Sequence, residues 1–439
     1  MKKYYDPLYG EIKLDELVFS IIEKCPEIKR LRYVGLMNFK SLSMLPLTSI
    51  TRLEHTIGLS YLAQLFADSN SFSKTSRNNL IVASLFHDVN SASFGHAIEW
   101  AVDRYTPYNH EKETEWLADK EKTSFLNKKP IFIEQYGVTR YDLEKEYGFN
   151  LTKAYQIING VDSFTINNNG IDLDNVDNVF RMGLYMGLEP FEKGCPVRLA
   201  KSLKIVDGRD NFVIKEEAID LVMTWYQLRA NIYGRFIYSE EYMGYEYLLF
   251  QLIAEYAKHV EFDSIRNLFN YTDENLLWHF YDKKNSLPSV SNIASMLLLH
   301  DIPKTYAILR SDEFDKKEKL IKPGILDAIA QSVSEYLHNS KEVSNTSSGE
   351  IFLHLTTDDR KTNRQIDFYV EKSGEVVKQS IGFDKRYIVI GVLGKKNLSE
   401  KVKTLIAEKT IEKLRSSNLG NFDNIEFVES NALKQKVLF

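Results

Sequence analysis

Leu80-Ile-Val-Ala-Ser-Leu-Phe-His-Asp88 is the stretch that decides how this chain is read. Its apolar run, free of glycine and proline, predicts a helix buried on all sides. That helix ends in an imidazole and a carboxylate side by side. Buried charge is costly unless it is partnered or ligates a metal, so packing alone does not account for the pair.

Working upstream, Thr51-Arg-Leu-Glu-His55 opens a segment in which Leu53, Ile57, Tyr61, Leu62, Leu65 and Phe66 recur at helical spacing. Four of the nine histidines, His55, His87, His96 and His110, fall between positions 55 and 110. Downstream, Asn168-Asn-Gly170 predicts a turn. After it come Asp172, Asp174 and Asp177, and then Val176, Val179, Phe180, Leu184 and Tyr185 at helical spacing. Imidazoles with carboxylates suit divalent ions such as Mn, Fe, Mg, Co or Zn. His55 and the His87-Asp88 pair supply three ligands, and spacing does not choose the fourth among the three aspartates.

Such an ion polarises phosphoryl oxygens and lowers the pKa of water. Phosphate chemistry also needs a group that moves protons. His96 and Glu99 share one face of a short helix over Phe94–Tyr105, where the carboxylate would fix the imidazole's tautomer. His110, one loop further on, is placed to protonate a leaving oxygen. Arg52, one turn before His55, suits a phosphate. Each residue also has a plain reading. A single histidine is more often structural than catalytic, Arg52 and Glu54 would serve as helix-surface residues, and the three aspartates would serve as helix caps. The set points to a metal; no single member does.

The composition bounds the alternatives. The chain has 439 residues, 44% hydrophobic and 27% charged, with a net charge of -5. That balance carries no basic footprint for nucleic acid or anionic membrane. Cys25 and Cys195, the two cysteines, lack metal spacing and argue against a disulfide framework. Met1-Lys-Lys-Tyr-Tyr-Asp has no apolar signal core, and no apolar run approaches the ~18 residues of a membrane span. A cytoplasmic protein is expected.

The predicted fold class is mainly α, a helical core with a smaller C-terminal α+β module. Helices are expected over most of 14–260, including 214–232 and 242–260, and a less patterned helical extension over 266–340. The polar stretch Asn339 to Gly349 reads as a linker. Beyond it Ile351–Leu355, Gln365–Val370 and Arg386–Val392 alternate or run apolar as strands do, and a helix is expected near 399–416. The expected domains are 1–265, 266–340 and 341–439.

The motifs and their order resemble the HD superfamily of metal-dependent phosphohydrolases, in its deoxynucleoside triphosphate triphosphohydrolase branch. Asp6-Pro-Leu-Tyr-Gly-Glu11 is similar to the family's DP-x-YG element, and Arg30-Leu-Arg32 to its QRLR segment. Thr51-Arg-Leu-Glu-His-Thr-Ile-Gly58 resembles TRFEHSLG, and Gly170-Ile-Asp-Leu-Asp-Asn-Val-Asp177 resembles GIDVDKxD. The resemblance implies that His55, His87, Asp88 and Asp174 bind one divalent metal ion. It implies that Arg52 contacts substrate phosphate, that His96 and Glu99 form a catalytic dyad, and that His110 is a general acid. Arg229 and Tyr233 resemble a substrate-side pattern. The chain departs from HDxGHxPFSH at Asn90, Ser91 and Ser93, which stand for Gly, His and Pro. The family's Tyr and Asp that grip the deoxyribose correspond to Asn178 and Met182.

The resemblance implies release of triphosphate from a deoxynucleoside triphosphate, by a homo-oligomer that in some members is switched by an allosteric nucleotide. Two alternatives are an HD phosphohydrolase acting on another nucleotide or a phosphodiester, and a non-catalytic nucleotide sensor, for which Ser91 is the main support.

Overall fold

The computed structural model describes residues 2–105, 107–119, 138–161, 165–166, 170–188, 191–206, 211–261, 267–322, 324–339 and 350–425. The fold is mainly α with small sheets, as expected. The chain forms two compact units. The first comprises Met1–Leu228, Ile253–Val290 and Gln365–Ile381; the second comprises Arg229–Leu252, Ser291–Arg364 and Gly382–Phe439. No helix among the described residues is long and apolar enough to cross a membrane.

In the first unit two helices set the frame. Arg52–Ser69 begins at an N-cap, Thr51, whose hydroxyl accepts from the Glu54 amide. It packs on Lys74–Phe86, capped by Ser73, in which every residue from Asn78 to Phe86 is buried. The run Leu80–Phe86 is therefore the buried helix its composition predicts. Gly95–Asp103 forms the short helix carrying His96 and Glu99. Leu173–Tyr185 is capped by Asp172, whose carboxylate accepts the Asn175 amide at 2.6 Å.

The N-terminus is a hairpin of Lys2–Asp6 and Gly10–Leu14. Asp6 shapes its turn by accepting the amides of Leu8 and Tyr9 at 2.8 and 3.0 Å. A three-stranded sheet pairs Val213–Lys215 in parallel with Ile366–Lys372, which pairs antiparallel with Glu375–Ile381. Gln365–Ile381 thus clusters with the first unit, although it lies within the stretch 341–439. Strand pairing across more than 150 residues does not show in a contiguous reading of domains.

The second unit is built on an antiparallel sheet in the order Ile351–Asp359, Arg386–Gly394, Lys304–Ser311, Asp423–Asn424. Helices Ile325–Asn339 and Glu400–Ser416 cover it, and Val333, Leu337, Ile406 and Leu414 pack on Leu309, Ile388 and Ile390. Lys304–Ser311 corrects the reading of 266–340 as helical. Its apolar centre is a fully covered strand, which periodicity does not separate from a helical turn. The turn residues Asn168 and Asn169, and 340–349 of the linker, lie outside the described residues.

Gly244, on helix Glu240–Ala257, faces the carbonyl of Pro303, and a Cβ there would lie 2.5 Å from that oxygen. Helix propensity alone favours alanine by about 1 kcal/mol. Backbone collision outweighs it, so Gly244→Ala is expected to destabilise the protein by about 1–3 kcal/mol. Urea unfolding of the variant beside wild type checks the sign.

Candidate metal centre

The Lys74–Phe86 helix delivers His87 at its C-cap, with Asp88 following. The His87 ring is fixed by Nδ1, which donates to the Ser84 carbonyl at 2.8 Å. In the neutral ring this leaves the lone pair on Nε2, the arrangement a ligand histidine needs. The ring lies edge-on to His55, with centroids 5.3 Å apart. His55 is fixed in the same way: Nδ1 donates to Asp177 Oδ1 at 2.8 Å. Its Nε2 lies 2.8 Å from Asp174 Oδ1, and that oxygen is 3.5 Å from His87 Nε2. Asp88 turns Oδ2 towards His87 Nε2 at 3.7 Å. Its Oδ1 is taken by Arg52 Nη1 at 2.7 Å and by the Ser91 hydroxyl at 2.9 Å.

His55, His87 and Asp88 thus form a buried group with ligand atoms close enough to share one ion, and Asp174 stands against both histidines. Ligand atoms about 2.1 Å from a divalent ion lie roughly 3–3.5 Å from one another, close to these spacings. The three aspartates left open by spacing have separate places. Asp172 caps the helix, Asp174 faces both imidazoles, and Asp177 stands behind His55.

The support beneath His55 was not legible from motif spacing. Arg181, 0% exposed, grips Asp177 with Nε and Nη2, each at 2.9 Å. Its Nη1 reaches Glu54 at 2.7 Å, and Nη2 reaches Asp6 at 3.1 Å. Tyr9 donates its hydroxyl to Asp177 Oδ2 at 2.7 Å. The Asp6–Glu11 and Thr51–Gly58 motifs thus meet on Arg181. Glu54 is not merely a surface residue; it is a partner of Arg181 and of the Tyr185 hydroxyl. Gly58 leaves the room, since a Cβ there would stand 2.0 Å from Arg181 Nη2.

Electrostatics follow from burial. Burial opposes a charge on His55, but its bonds to Asp174 and Asp177 outweigh that and lift its pKa to about 10. Burial likewise opposes charge on Asp177, but Arg181 and His55 bring its pKa down to about 2. Burial of Asp88 is overridden chiefly by Arg52, which holds the carboxyl well below the usual range. A divalent ion ligated by His55 Nε2 would take the place of the proton held there.

Beside the pocket, Glu99 bridges two imidazoles. It lies 2.9 Å from His96 Nδ1 and 2.9 Å from His110 Nδ1. His110 is buried, and Glu99 outweighs that burial to raise its pKa to about 9. Its Nε2 points towards Asp88 Oδ1, 3.9 Å away. His96 is half exposed and stacks on Trp100 at 5.8 Å. Arg52 is buried against Asp88. Arg229 and Tyr233 lie in the second unit, where the Tyr233 ring is flanked by Arg229 at 4.9 Å and Lys361 at 5.2 Å. Asp273, which no motif singled out, accepts the Gly35 and Phe94 amides at 2.9 and 3.0 Å and so holds the loop between Asp88 and His96.

Paired histidines, an adjacent His-Asp and a helical scaffold define a class: the chain resembles the HD-domain metal-dependent phosphohydrolases, in their deoxynucleoside triphosphate triphosphohydrolase branch. It is similar to the deoxynucleoside triphosphate triphosphohydrolase SAMHD1 homolog of Dictyostelium discoideum, 26% identical over 198 residues, which cover 42% of this chain and 36% of that protein. It is also similar to deoxynucleoside triphosphate triphosphohydrolase SAMHD1 of Xenopus laevis, 32% identical over 106 residues, or 23% of this chain and 16% of that protein. The chain therefore spans only about a third, or less, of these curated relatives. No protein-family model matches it.

Arg181→Met would leave Asp6, Asp177 and Glu54 without their shared cation. Removing one partner of a buried pair costs about 3–5 kcal/mol. Chemical denaturation of Arg181→Met is expected to show a loss of that order, well beyond that of a surface arginine such as Arg198→Met.

Proposed function

We propose that the protein is a metal-dependent nucleotide phosphohydrolase that splits a deoxynucleoside triphosphate into nucleoside and triphosphate. The observation that carries this reading is the convergence of His55 Nε2, His87 Nε2, Asp88 Oδ2 and Asp174 Oδ1, with each imidazole oriented from behind. The names of the matched relatives support the substrate class. In this reading His55, His87, Asp88 and Asp174 hold one divalent ion. When bound, such an ion polarises a phosphoryl oxygen and makes water more acidic.

The remaining chemistry falls to side chains. Water oxygen bonds to the α-phosphorus and gives up a proton to solvent, and the bond from that phosphorus to the 5′-oxygen breaks. His110 gives the leaving 5′-oxygen its proton; Glu99 holds the ring at Nδ1 and keeps it protonated at neutral pH. His96, on the other oxygen of Glu99, completes the dyad. Arg52 binds phosphate: one of its nitrogens is held by Asp88, while its buried Nε has no hydrogen-bond partner among the described residues. Tyr233 as a substrate contact, a homo-oligomer, a regulatory nucleotide and a cytoplasmic location rest on the resemblance and the composition.

One observation favours a second substrate. Met182 is buried on the Leu173–Tyr185 helix and offers no carboxylate to a sugar hydroxyl. A ribonucleotide or a phosphodiester therefore belongs in the same test.

Purified protein supplied with Mn or Mg is expected to release triphosphate from at least one nucleotide in a panel resolved by product. His87→Ala and Asp88→Ala are expected to abolish the activity. Release of neither triphosphate, pyrophosphate nor phosphate from any nucleotide would sink the reading. Asp177→Asn frees the His55 tautomer, so its metal affinity is expected to fall by about 10- to 100-fold, read by metal analysis after dialysis against graded chelator.

A further inference from the structure

Asn90 stands where the resembled motif has glycine, two residues after Asp88, and it is 0% exposed. Its side chain is spent entirely on the segment that carries His110. The amide nitrogen donates to the His110 carbonyl at 3.3 Å and to the Thr114 hydroxyl oxygen at 3.1 Å. Its Oδ1 accepts the Trp116 indole N–H at 3.3 Å. The Asn90 backbone carbonyl accepts the Tyr108 hydroxyl at 2.7 Å. Thr114, also fully buried, closes the ring by donating to the His110 carbonyl at 3.0 Å.

The segment 108–116 has little regular structure of its own, only the 3-10 turn Lys112–Leu117. A short 3-10 run is weakly self-stabilising, so its position depends on what it is tied to. Asn90 ties it at four points, and Asn90 itself is fixed by its short covalent distance from Asp88. Glycine at this position has no side chain and could make only the Tyr108 contact.

We propose that Asn90, through Thr114, is a positioning residue that sets His110 against the site of bond cleavage. This rests on the proposed function, in which His110 protonates the leaving oxygen. The amide links the backbone carrying His87 and Asp88 to the backbone carrying His110. It thereby holds the His110 ring between Glu99 and Asp88. A displacement of about 1 Å in such a group costs on the order of 100-fold in rate.

Leaving-group dependence separates this role from a merely structural one. The full chain is assayed with the best nucleotide of the panel, whose leaving alkoxide needs a proton, and with a p-nitrophenyl ester of the nucleoside 5′-monophosphate, whose phenolate does not. Asn90→Ala and Thr114→Val are expected to lower kcat on the nucleotide by about 10- to 100-fold, with KM and bound metal unchanged and the aryl ester still turned over. Thr114→Ser, which keeps the hydroxyl, is expected to restore the nucleotide rate. Asn90→Ala added to His110→Gln is expected to cost little more than His110→Gln alone.

Equal losses on both substrates, or full additivity with His110→Gln, would overturn the assignment. If the wild type turns over neither substrate, the proposed function fails, and the tie is judged without activity. Hydrogen exchange of amides 110–117 is then compared between wild type and Asn90→Ala. Faster exchange in the variant supports the tie, and unchanged exchange overturns it.

Discussion

One buried guanidinium organises the first unit. Arg181 sits wholly out of water between Asp177, Glu54 and Asp6, and a cation so placed persists only if every partner is in position. Each partner comes from a different part of the chain: the N-terminal turn, the helix that bears His55, and the helix that bears Asp174. The hairpin at residues 2–14 is therefore more than a decoration of the surface. Its Asp6 and Tyr9 meet the ion-pair network directly under the pocket. Through Asp177 the same network sets the His55 tautomer, so the stability of the unit and the orientation of one imidazole are a single constraint.

Charge counting explains why such a pocket accepts a cation. Around His55, the carboxylates of Asp6, Glu54, Asp88, Asp174 and Asp177 face, among the described arginines and lysines, the guanidinium groups of Arg52 and Arg181. With neutral histidines that leaves an excess of negative charge in a dry environment. A proton on His55 relieves it, and the bonds to Asp174 and Asp177 raise the His55 pKa to about 10. A divalent ion held there would relieve it more fully, in place of that proton. The loop from Asp88 to His96 is meanwhile pinned from behind. Arg30 donates to the carbonyls of Ser91, Phe269 and Tyr271 at 2.8–2.9 Å, and Asp273 takes the amide of Phe94, which is held at φ 55. Left-handed backbone at a bulky residue persists only where its surroundings over-determine it. Here it aims His96 and Glu99 into the site.

Much of this was legible in the sequence, for identifiable reasons. The run Leu80–Phe86 is buried because nothing in it tolerates water, and the strand alternation after 350 survives because one face of the sheet is covered. The pairing of His96 with Glu99 is local, and local spacing reports local geometry. The illegible parts are those made by distance in sequence. Arg181 reads as one arginine in an amphipathic helix until Asp6 is brought to it from 175 residues away. Asp273 carries no motif, and its partners, the Gly35 and Phe94 amides and the Lys40 ammonium, all lie more than 170 residues upstream. Strand Lys304–Ser311 was hidden because a fully covered strand loses its alternation. Asp172 is the instructive middle case: residue type admitted both ligand and cap, and geometry made it the cap.

The departures at Asn90, Ser91 and Ser93 then take on a common meaning. A buried polar atom left without a partner costs about 1–3 kcal/mol. All three replacements are buried here, and each is satisfied. Asn90 bonds to the 108–116 segment, Ser91 donates to Asp88 Oδ1, and Ser93 donates to the Tyr271 carbonyl at 2.7 Å. Glycine and proline shape a loop through backbone freedom and restriction. Asn90 and Ser93 shape it through side-chain hydrogen bonds to neighbouring segments, and Ser91 through one to Asp88 within the loop. Ser91 does so at a cost in reach: its hydroxyl is bound to the carboxylate of Asp88, so it cannot extend to a reacting phosphate as an imidazole would. The loop is tied by its own side chains, while His87 Nε2 lies near both Asp88 Oδ2 and Asp174 Oδ1. That combination fits a pocket that could hold an ion, and under the proposed function the work on the substrate would fall to Arg52 and the His96–Glu99–His110 group.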